Sequence, residues 1–141
     1  MLSKTSEYAL RAIVHLARDS GDPVSAGEVA AALDVPANYL SKILHTLSRA
    51  GLVDSERGPR GGYRLALPAE RISIGDVVSA LDPVAPEGRC LLGHQDCPGT
   101  RPCAAHERWR RVSEPVAAFF RDTMVSELLE TSGAVAVTLN T

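Results

Sequence analysis

The chain has 141 residues, 45% of them hydrophobic and 23% charged, with a formal net charge of −2. This length allows one domain with a modest core and a small appendage, and the composition is ordinary for a soluble globular protein. No apolar run approaches the roughly 20 residues that cross a bilayer, and the first residues begin an amphipathic segment rather than a signal peptide. These features argue against a membrane or secreted protein, so we expect a cytoplasmic protein with no membrane partner.

Two helices and a turn are predicted in the first 36 residues. Apolar residues at intervals of three and four predict a helix over residues 4–18. Ser25 is expected to N-cap a second, short helix, with Glu28 at the capping-box position. We assign three residues to the apolar face of this helix: Val29, Ala32 and Leu33. Residues 34–36 then form the turn.

A third helix is predicted over residues 37–50. Its inward face consists of Leu40, Ile43, Leu44 and Leu47. Residues 52–56 and 63–67 are strand-like segments on either side of a glycine-rich loop that carries Arg57 and Arg60. Two helices around a tight turn, followed by such a hairpin, predict a mainly α fold, a winged helix-turn-helix with a two-stranded wing.

The charge distribution favours nucleic acid as a partner, although the net charge does not. Between residues 36 and 65, five basic residues outnumber two acidic ones, which makes this stretch locally +3. The basic residues are Lys42, Arg49, Arg57, Arg60 and Arg64, and the acidic ones are Asp54 and Glu56. A local basic surface can attract phosphates even when the remaining charges cancel it overall.

The C-terminal half is predicted to contain a fourth helix, N-capped by Ser73 and ended by Asp82 and Pro83, and then a long helix from about residue 103 to 122. Pro115 predicts a kink or a helix boundary inside the long helix. The long helix carries an apolar stripe made of Trp109, Val112, Val116 and Phe119 or Phe120. Because the first domain already has a core, we expect this stripe to pack against a second copy, so that the helix forms a homodimer.

All three cysteines of the chain, Cys90, Cys97 and Cys103, lie close to His106 in the spacing Cys-x6-Cys-x5-Cys-x2-His. Three thiolates beside an imidazole suit a metal ion or an iron-sulfur cluster. Two alternatives stay open: a protein-interaction module with structural zinc, and a winged-helix regulator with a metal-free thiol switch. The gaps are longer than those usual for structural zinc, and Arg89 or Arg101 could activate a metal-free thiol switch. No nucleophile turn or base-orienting group accompanies the cysteines, so we do not expect an enzyme.

The predicted organisation therefore has four parts. Residues 1–82 form the winged helix-turn-helix domain, and residues 83–103 form the cysteine-rich, cluster-binding loop. Residues 104–130 form the dimerisation helix and a short helix after it, and residues 131–141 form a flexible tail.

Four segments in chain order carry a resemblance to a known family. They are Ser6-Glu7-Tyr8-Ala9-Leu10-Arg11, Asn38-Tyr39-Leu40-Ser41-Lys42, the wing Arg57-Gly58-Pro59-Arg60-Gly61-Gly62-Tyr63, and the cysteine loop with His106 and Trp109. Over about residues 1–130 the chain resembles the bacterial IscR/NsrR/RirA regulators. The resemblance implies a homodimeric transcription factor, expected to be a repressor, which senses iron-sulfur status, iron, nitric oxide or redox state. Its cofactor would be a 2Fe-2S or 4Fe-4S cluster held by the three loop cysteines.

The resemblance also implies roles in DNA binding. Asn38, Ser41 and Lys42 match the exposed half of a recognition helix that contacts bases and phosphates in the major groove of an operator. Arg57 matches a wing arginine that looks like a minor-groove reader in the family. Arg60 stands where a close relative has glycine, so an additional phosphate contact there is suggested by its charge and is not implied by the resemblance.

The fourth cluster ligand has two candidates. His106 matches the histidine ligand of the iron-sulfur biogenesis branch, and Glu7 matches the acidic ligand that the partner subunit supplies in the nitric-oxide-sensing branch. We favour His106, because it follows Cys103 by one helical turn and does not depend on a dimer interface. The six residues between the first two cysteines, where the family usually has five, leave the cluster type and the sensed signal open.

Overall fold

A computed structural model describes residues 2–19, 21–82 and 104–130 of the chain. The three cysteines and the tail at 131–141 therefore lie outside the described residues. Along the described chain the order of elements is α1 (Lys4–Arg18), α2 (Ala26–Leu33), α3 (Ala37–Arg49), β1 (Val53–Glu56), β2 (Gly62–Leu65), a 3-10 turn (Ala69–Arg71), α4 (Ile74–Leu81) and α5 (His106–Asp122). Residues 125–130 are also helical.

Helix α1 has the predicted limits, because Ser3 caps it and its apolar residues share one face. The Ser3 hydroxyl oxygen accepts a hydrogen bond from the Ser6 amide at 3.1 Å, which satisfies one of the free N–H groups of the first turn. Its buried residues are Ser6, Ala9, Ala12, Ile13 and Leu16. Helix α1 therefore lies at the centre of the domain, where α2, α3, α4 and β2 pack against it.

Helix α2 also begins as predicted, but its buried face is different. The Ser25 hydroxyl oxygen accepts a hydrogen bond from the Glu28 amide at 3.1 Å. Val29 and Ala30 are buried, whereas Ala32 is exposed, so the assignment of Ala32 to the core face is wrong. Successive helix residues are about 100° apart, and the face centred between Val29 and Ala30 turns Ala32 toward solvent.

Helix α3 follows a tight turn and buries the four leucine and isoleucine residues predicted for it. Asp34 ends α2 in the left-handed region with a φ of 56°, and the Val35 amide donates to the Ala30 carbonyl at 3.0 Å. The buried residues of α3 are Leu40, Ile43, Leu44 and Leu47. The predicted helix-turn-helix is therefore confirmed.

The two wing strands are antiparallel and run in register from Val53 opposite Leu65 to Glu56 opposite Gly62. Tyr63 extends this pairing to Val24, the residue before the Ser25 cap. The Tyr63 amide donates to the Val24 carbonyl at 2.7 Å, and the Val24 amide donates to the Tyr63 carbonyl at 2.8 Å. The wing is thus hydrogen-bonded to the segment that enters α2, and the winged helix-turn-helix fold is confirmed.

Helix α4 packs against α1 and α3, and helix α5 packs against α4. Ser73 and Asp76 form a reciprocal capping box at the start of α4, whose buried residues include Val77 and Val78. Helix α5 has 17 residues and continues through Pro115, so the alternative of a helix boundary at this proline is wrong. None of the described helices is both long and apolar enough to span a membrane.

Candidate functional site

Helix α3 presents a polar face to solvent directly opposite its buried face. Asn38, Ser41 and Lys42 are exposed, while the neighbouring Leu40 and Ile43 are buried. Packing of the apolar residues therefore fixes which side of the helix can meet a ligand. All three residues predicted to contact DNA from this helix lie on that accessible side.

The first turn of α3 adds backbone donors to this face. Its N-cap is Pro36, which makes no side-chain cap hydrogen bond. A helix whose first N–H groups have no side-chain cap can offer them to an anion, and the helix dipole adds favourable potential for a phosphate.

The tip of the wing carries the other two predicted contacts. Arg57 and Arg60 are exposed in a turn that the Gly61 amide closes by donating to the Gly58 carbonyl at 2.9 Å. Arg64 is instead paired with Glu56, its Nη2 lying 2.8 Å from Oε1. Within residues 2–19, 21–82 and 104–130, ion pairs involve none of Lys42, Arg57 and Arg60, so their charge is available to a phosphate backbone.

Residues near the start of α1 contact the first turn of α3. The hydroxyls of Thr5 and Tyr39 are 2.6 Å apart, and the Tyr8 and Tyr39 rings meet edge to face with centroids 5.8 Å apart. Arg11 lies over the Tyr8 ring at 5.5 Å and donates to the Leu33 carbonyl at 3.3 Å. Tyr39 is adjacent to Asn38, so this cluster of Thr5, Tyr8, Arg11 and Tyr39 holds the first turn of α3.

The same turn of α1 is hydrogen-bonded to Asp82, the residue that precedes the cysteine-containing segment. The Ser6 hydroxyl donates to Asp82 Oδ2 at 2.5 Å, and the Ser3 hydroxyl donates to the same oxygen. These two donors lower the pKa of the Asp82 carboxyl, because they stabilise its charged form. Asp82 is the last described residue before residue 104, so α1 is hydrogen-bonded to the residue that precedes the predicted cluster-binding loop.

The two candidate fourth ligands lie on different helices. Glu7 is in the first turn of α1, next to Ser6, with its Oε2 3.6 Å from Lys4 Nζ and its side chain 48% exposed. His106 is the first residue of α5 and is half-buried. Three or more histidine, cysteine or acidic residues do not come together within the described chain. The choice between Glu7 and His106 therefore stays a prediction, as does ligation by the three cysteines.

The donor set itself suits an iron-sulfur cluster. Three thiols can bind iron as thiolates, and an imidazole or a carboxylate can complete the set. The N-cap of α5, Ala105, makes no side-chain cap hydrogen bond and lies two residues after Cys103. The positive end of the α5 dipole would therefore favour thiolates near this turn.

Helix α5 exposes part of its predicted apolar stripe. Val112 is 59%, Val116 is 45% and Phe119 is 55% exposed. Three large apolar side chains at spacings of four and three residues form one stripe on the helix surface. Such a stripe is typical of a surface that a partner covers.

Sequence reasoning misses the residues that connect these parts. The pattern marks Asp82 only as a helix stop, and it assigns no role to Thr5. Tyr39 belongs to a segment that carries the family resemblance, which is the one available signal of its importance. The contact between Thr5 and Tyr39 joins residues that are 34 positions apart, and local pattern does not predict such pairings.

Comparison with known proteins identifies a family of regulators. Residues 2–131 match the family described as "Rrf2: Iron-dependent Transcriptional regulator". The chain is 34% identical over 130 residues to the HTH-type transcriptional regulator IscR of Vibrio atlanticus, covering 92% of this chain and 75% of that protein. Its fold is similar to that of CymR, the global cysteine regulator of B. subtilis, with a TM-score of 0.77, 26% identity and coverage of 92% and 96% of the two chains.

Proposed function

Because the chain belongs to the Rrf2 family of transcriptional regulators, we propose that it binds a DNA operator as a homodimer and senses its signal through an iron-sulfur cluster. The observation that carries the DNA-binding part is the accessible charge of Lys42, Arg57 and Arg60 on α3 and the wing. A winged helix with this arrangement inserts α3 in the major groove and lays the wing along the backbone or minor groove.

The roles of the individual residues follow from their chemistry. Asn38 can make a bidentate contact with adenine, whereas Ser41 and Lys42 can contact bases or phosphates. Arg57 and Arg60 are at the wing tip, where a guanidinium can enter a narrow, electronegative minor groove or bind a phosphate. Arg64 is paired with Glu56, so it contributes less than the net charge of this segment suggests.

Charge removal tests the DNA interface. We expect Lys42→Ala and Arg57→Ala each to weaken binding to a selected operator by about 10-fold or more. For a residue that binds a phosphate, the slope of log affinity against log salt should also become shallower by about one. Arg110→Ala is the matched control, because Arg110 is paired with Glu114 on α5. Equal operator affinity in Lys42→Ala, Arg57→Ala and wild type would contradict the interface.

The proposed homodimer rests on the exposed stripe of α5. Val112, Val116 and Phe119 would bury their apolar surface against the same residues of a second copy, in a two-fold symmetric seam. A dimer also presents two recognition helices, one for each half-site of the operator.

The proposed cluster would be held by Cys90, Cys97 and Cys103, with His106 or Glu7 as the fourth ligand. When bound, it would supply a centre whose redox state or integrity responds to oxidants, nitric oxide or iron supply. The similarity to IscR over nearly the whole chain supports this assignment.

A route from the loop to the recognition helix supports regulation by the cluster. Asp82, which precedes the loop, accepts a hydrogen bond from Ser6 of α1, and Thr5 in the same turn is hydrogen-bonded to Tyr39 of α3. A change in the loop that displaces Asp82 would thus reach the DNA-contacting helix α3 through a single turn of α1. A rearrangement of a few ångströms is enough to change the affinity of a dimer for fixed half-sites.

Metal analysis tests the cluster. Anaerobically purified protein should be brown, with matching amounts of iron and acid-labile sulfide, and Cys97→Ala should lose both. Colourless protein that contains zinc, even after reconstitution, would contradict the cluster and favour an interaction module with structural zinc. His106→Ala and Glu7→Ala, compared by their absorption spectra, would identify the fourth ligand.

A metal-free thiol switch is the second candidate. The similarity to CymR of Staphylococcus aureus, whose structure is known in an oxidized form, favours it, with a TM-score of 0.72 and 29% identity. It predicts a colourless protein whose operator affinity changes when the cysteines are oxidised and returns when they are reduced. Oxidation of a cysteine-free variant should then have no effect on that affinity.

A further inference from the structure

Helix α4 approaches the end of α5 more closely than any side chain at position 75 would allow. A Cβ atom added to Gly75 would lie 2.9 Å from the carbonyl oxygen of Phe120, 3.2 Å from its carbonyl carbon and 3.4 Å from its Cβ. Two of these three atoms belong to the backbone, which cannot rotate away as a flexible side chain can. Gly75 is therefore a direct contact between the two helix backbones.

Two hydrogen bonds next to this contact fix the end of α5 to the domain. The Ile74 amide donates to the Thr123 carbonyl at 2.9 Å, and the Val125 amide donates to the Ile72 carbonyl at 2.8 Å. Ser73 and Met124 between them form an antiparallel bridge. We call this arrangement of residues 72–75 and 120–125 the α4–α5 joint.

We propose that Gly75 is a positioning residue, which sets the angle at which α5 leaves the DNA-binding domain and thereby the half-site separation that the dimer reads. This inference rests on the proposed function, a DNA-binding homodimer formed through α5. Because each α5 would be fixed to its own domain at the joint and to its partner along the exposed stripe, the angle at the joint determines where the two α3 helices stand.

The length of α5 would amplify a small change at the joint. Its 17 residues span about 25 Å, since an α-helix rises 1.5 Å per residue. A displacement of about 0.5 Å at Gly75, with hydrogen bonds about 5 Å away unchanged, would tilt α5 by about 5° and move its far end by about 2 Å. Two-fold symmetry doubles this to about 4 Å, which is comparable to the rise of about 3.4 Å per base pair.

The two phenylalanines at the end of α5 connect the joint with the proposed seam. The carbonyl group and Cβ of Phe120 lie next to Gly75, whereas Phe119 is 55% exposed on the apolar stripe. Their rings meet edge to face, with centroids 5.6 Å apart and planes at 76°. A displacement of Phe120 would thus be passed to a side chain of the seam.

Gly75→Ala tests the inference, with Gly27→Ala as the matched control. Among the described residues, a Cβ at Gly27 would come within 4 Å of only the Ser25 hydroxyl oxygen, at 3.9 Å. An operator is first selected from random DNA with the wild-type protein, and its half-sites are then moved apart or together by one or two base pairs. We expect Gly75→Ala to remain folded and dimeric, to bind an isolated half-site like wild type, and to shift its preferred spacing by about one base pair or lose its preference. Gly27→Ala should keep the wild-type spacing.

The outcomes separate this inference from the proposed function. If wild type selects paired half-sites and Gly75→Ala prefers the same spacing with the same discrimination, the inference is overturned and the proposed function stands. If wild type selects no DNA sequence, the proposed function falls and the inference with it. Should Gly75→Ala fail to fold, Thr123→Pro changes the joint from the α5 side, because it removes the Thr123 amide that donates to the Phe119 carbonyl at 3.1 Å. A shifted spacing in that variant supports the inference, and an unchanged spacing overturns it.

Discussion

Ser6 is a buried residue whose hydroxyl donates to Asp82, and the effect of removing it should depend on pH. Hydrogen bonds from Ser3 and Ser6 lower the pKa of Asp82 below its usual value of 3.8. The stabilisation is therefore present above the unfolded-state pKa and is lost as the pH falls through the folded-state pKa. We expect Ser6→Ala to lower the free energy of unfolding near pH 7, and the difference from wild type to shrink below about pH 4, as measured by urea denaturation.

Ser79→Ala is the control for this prediction. The Ser79 hydroxyl donates to the Gly75 carbonyl at 2.6 Å, and this backbone acceptor does not titrate. Its replacement should change stability by the same amount at every pH. A Ser6→Ala difference that stays constant from neutral to acid pH would contradict the role assigned to Asp82.

Single residues are predictable from the sequence where their partners are close along the chain. Ser25 and Ser73 are predicted as N-caps, and both accept a hydrogen bond from an amide three residues later. Asp82 and Ser6 are 76 positions apart, so no local rule brings them together. The residues missed in the candidate site are of this second kind.

At the scale of elements, the attachment of the wing depends on Gly62. A Cβ on Gly62 would lie 2.5 Å from the carbonyl carbon and oxygen of Val24 and 2.8 Å from the Ser25 nitrogen. Gly62→Ala must therefore push the wing away from the segment that enters α2. We expect it to lower the free energy of unfolding by about 1–3 kcal/mol, as overpacking usually does, and to weaken operator binding by displacing Arg57.

A double-mutant cycle separates these two effects. If Gly62→Ala weakens DNA binding by moving the wing arginine, it should weaken binding much less when Arg57 is already alanine. Electrophoretic mobility shifts on one operator give the four affinities. The same loss of affinity in both backgrounds would mean that Gly62 does not act through Arg57.

The elements themselves are largely predictable, because helix and strand periodicities are local. The predicted limits of α1 and the predicted buried face of α3 are correct, and the two wing strands are within two residues of their observed ends. The sequence pattern at Pro115 does not distinguish a kink from a boundary, and α5 continues through it. The pairing of Tyr63 with Val24 is a tertiary contact between distant residues, and the pattern of neither segment contains it.

On the scale of the whole molecule, the charges predicted to contact DNA and the exposed apolar stripe lie on different elements. The chain has a net charge of −2, yet the accessible charges of Lys42, Arg57 and Arg60 lie on α3 and the wing. The large exposed apolar residues lie on α5, which packs against α4, and α4 in turn packs against α1 and α3. This arrangement suits one surface for DNA and another for a second copy.

A charge placed in the proposed seam should therefore separate the dimer and weaken operator binding without unfolding the domain. Val116 is 45% exposed in the single chain, so Val116→Glu costs little in the monomer, whereas two facing carboxylates in a dry seam cost about 3 kcal/mol or more. The dimer dissociation constant should rise by about 100-fold or more, as measured by analytical ultracentrifugation. Leu67→Glu, which places the same charge on an apolar residue that is 37% exposed outside α5, should leave the dimer intact. A Val116→Glu protein that sediments as a dimer like wild type would show that the copies meet through another surface.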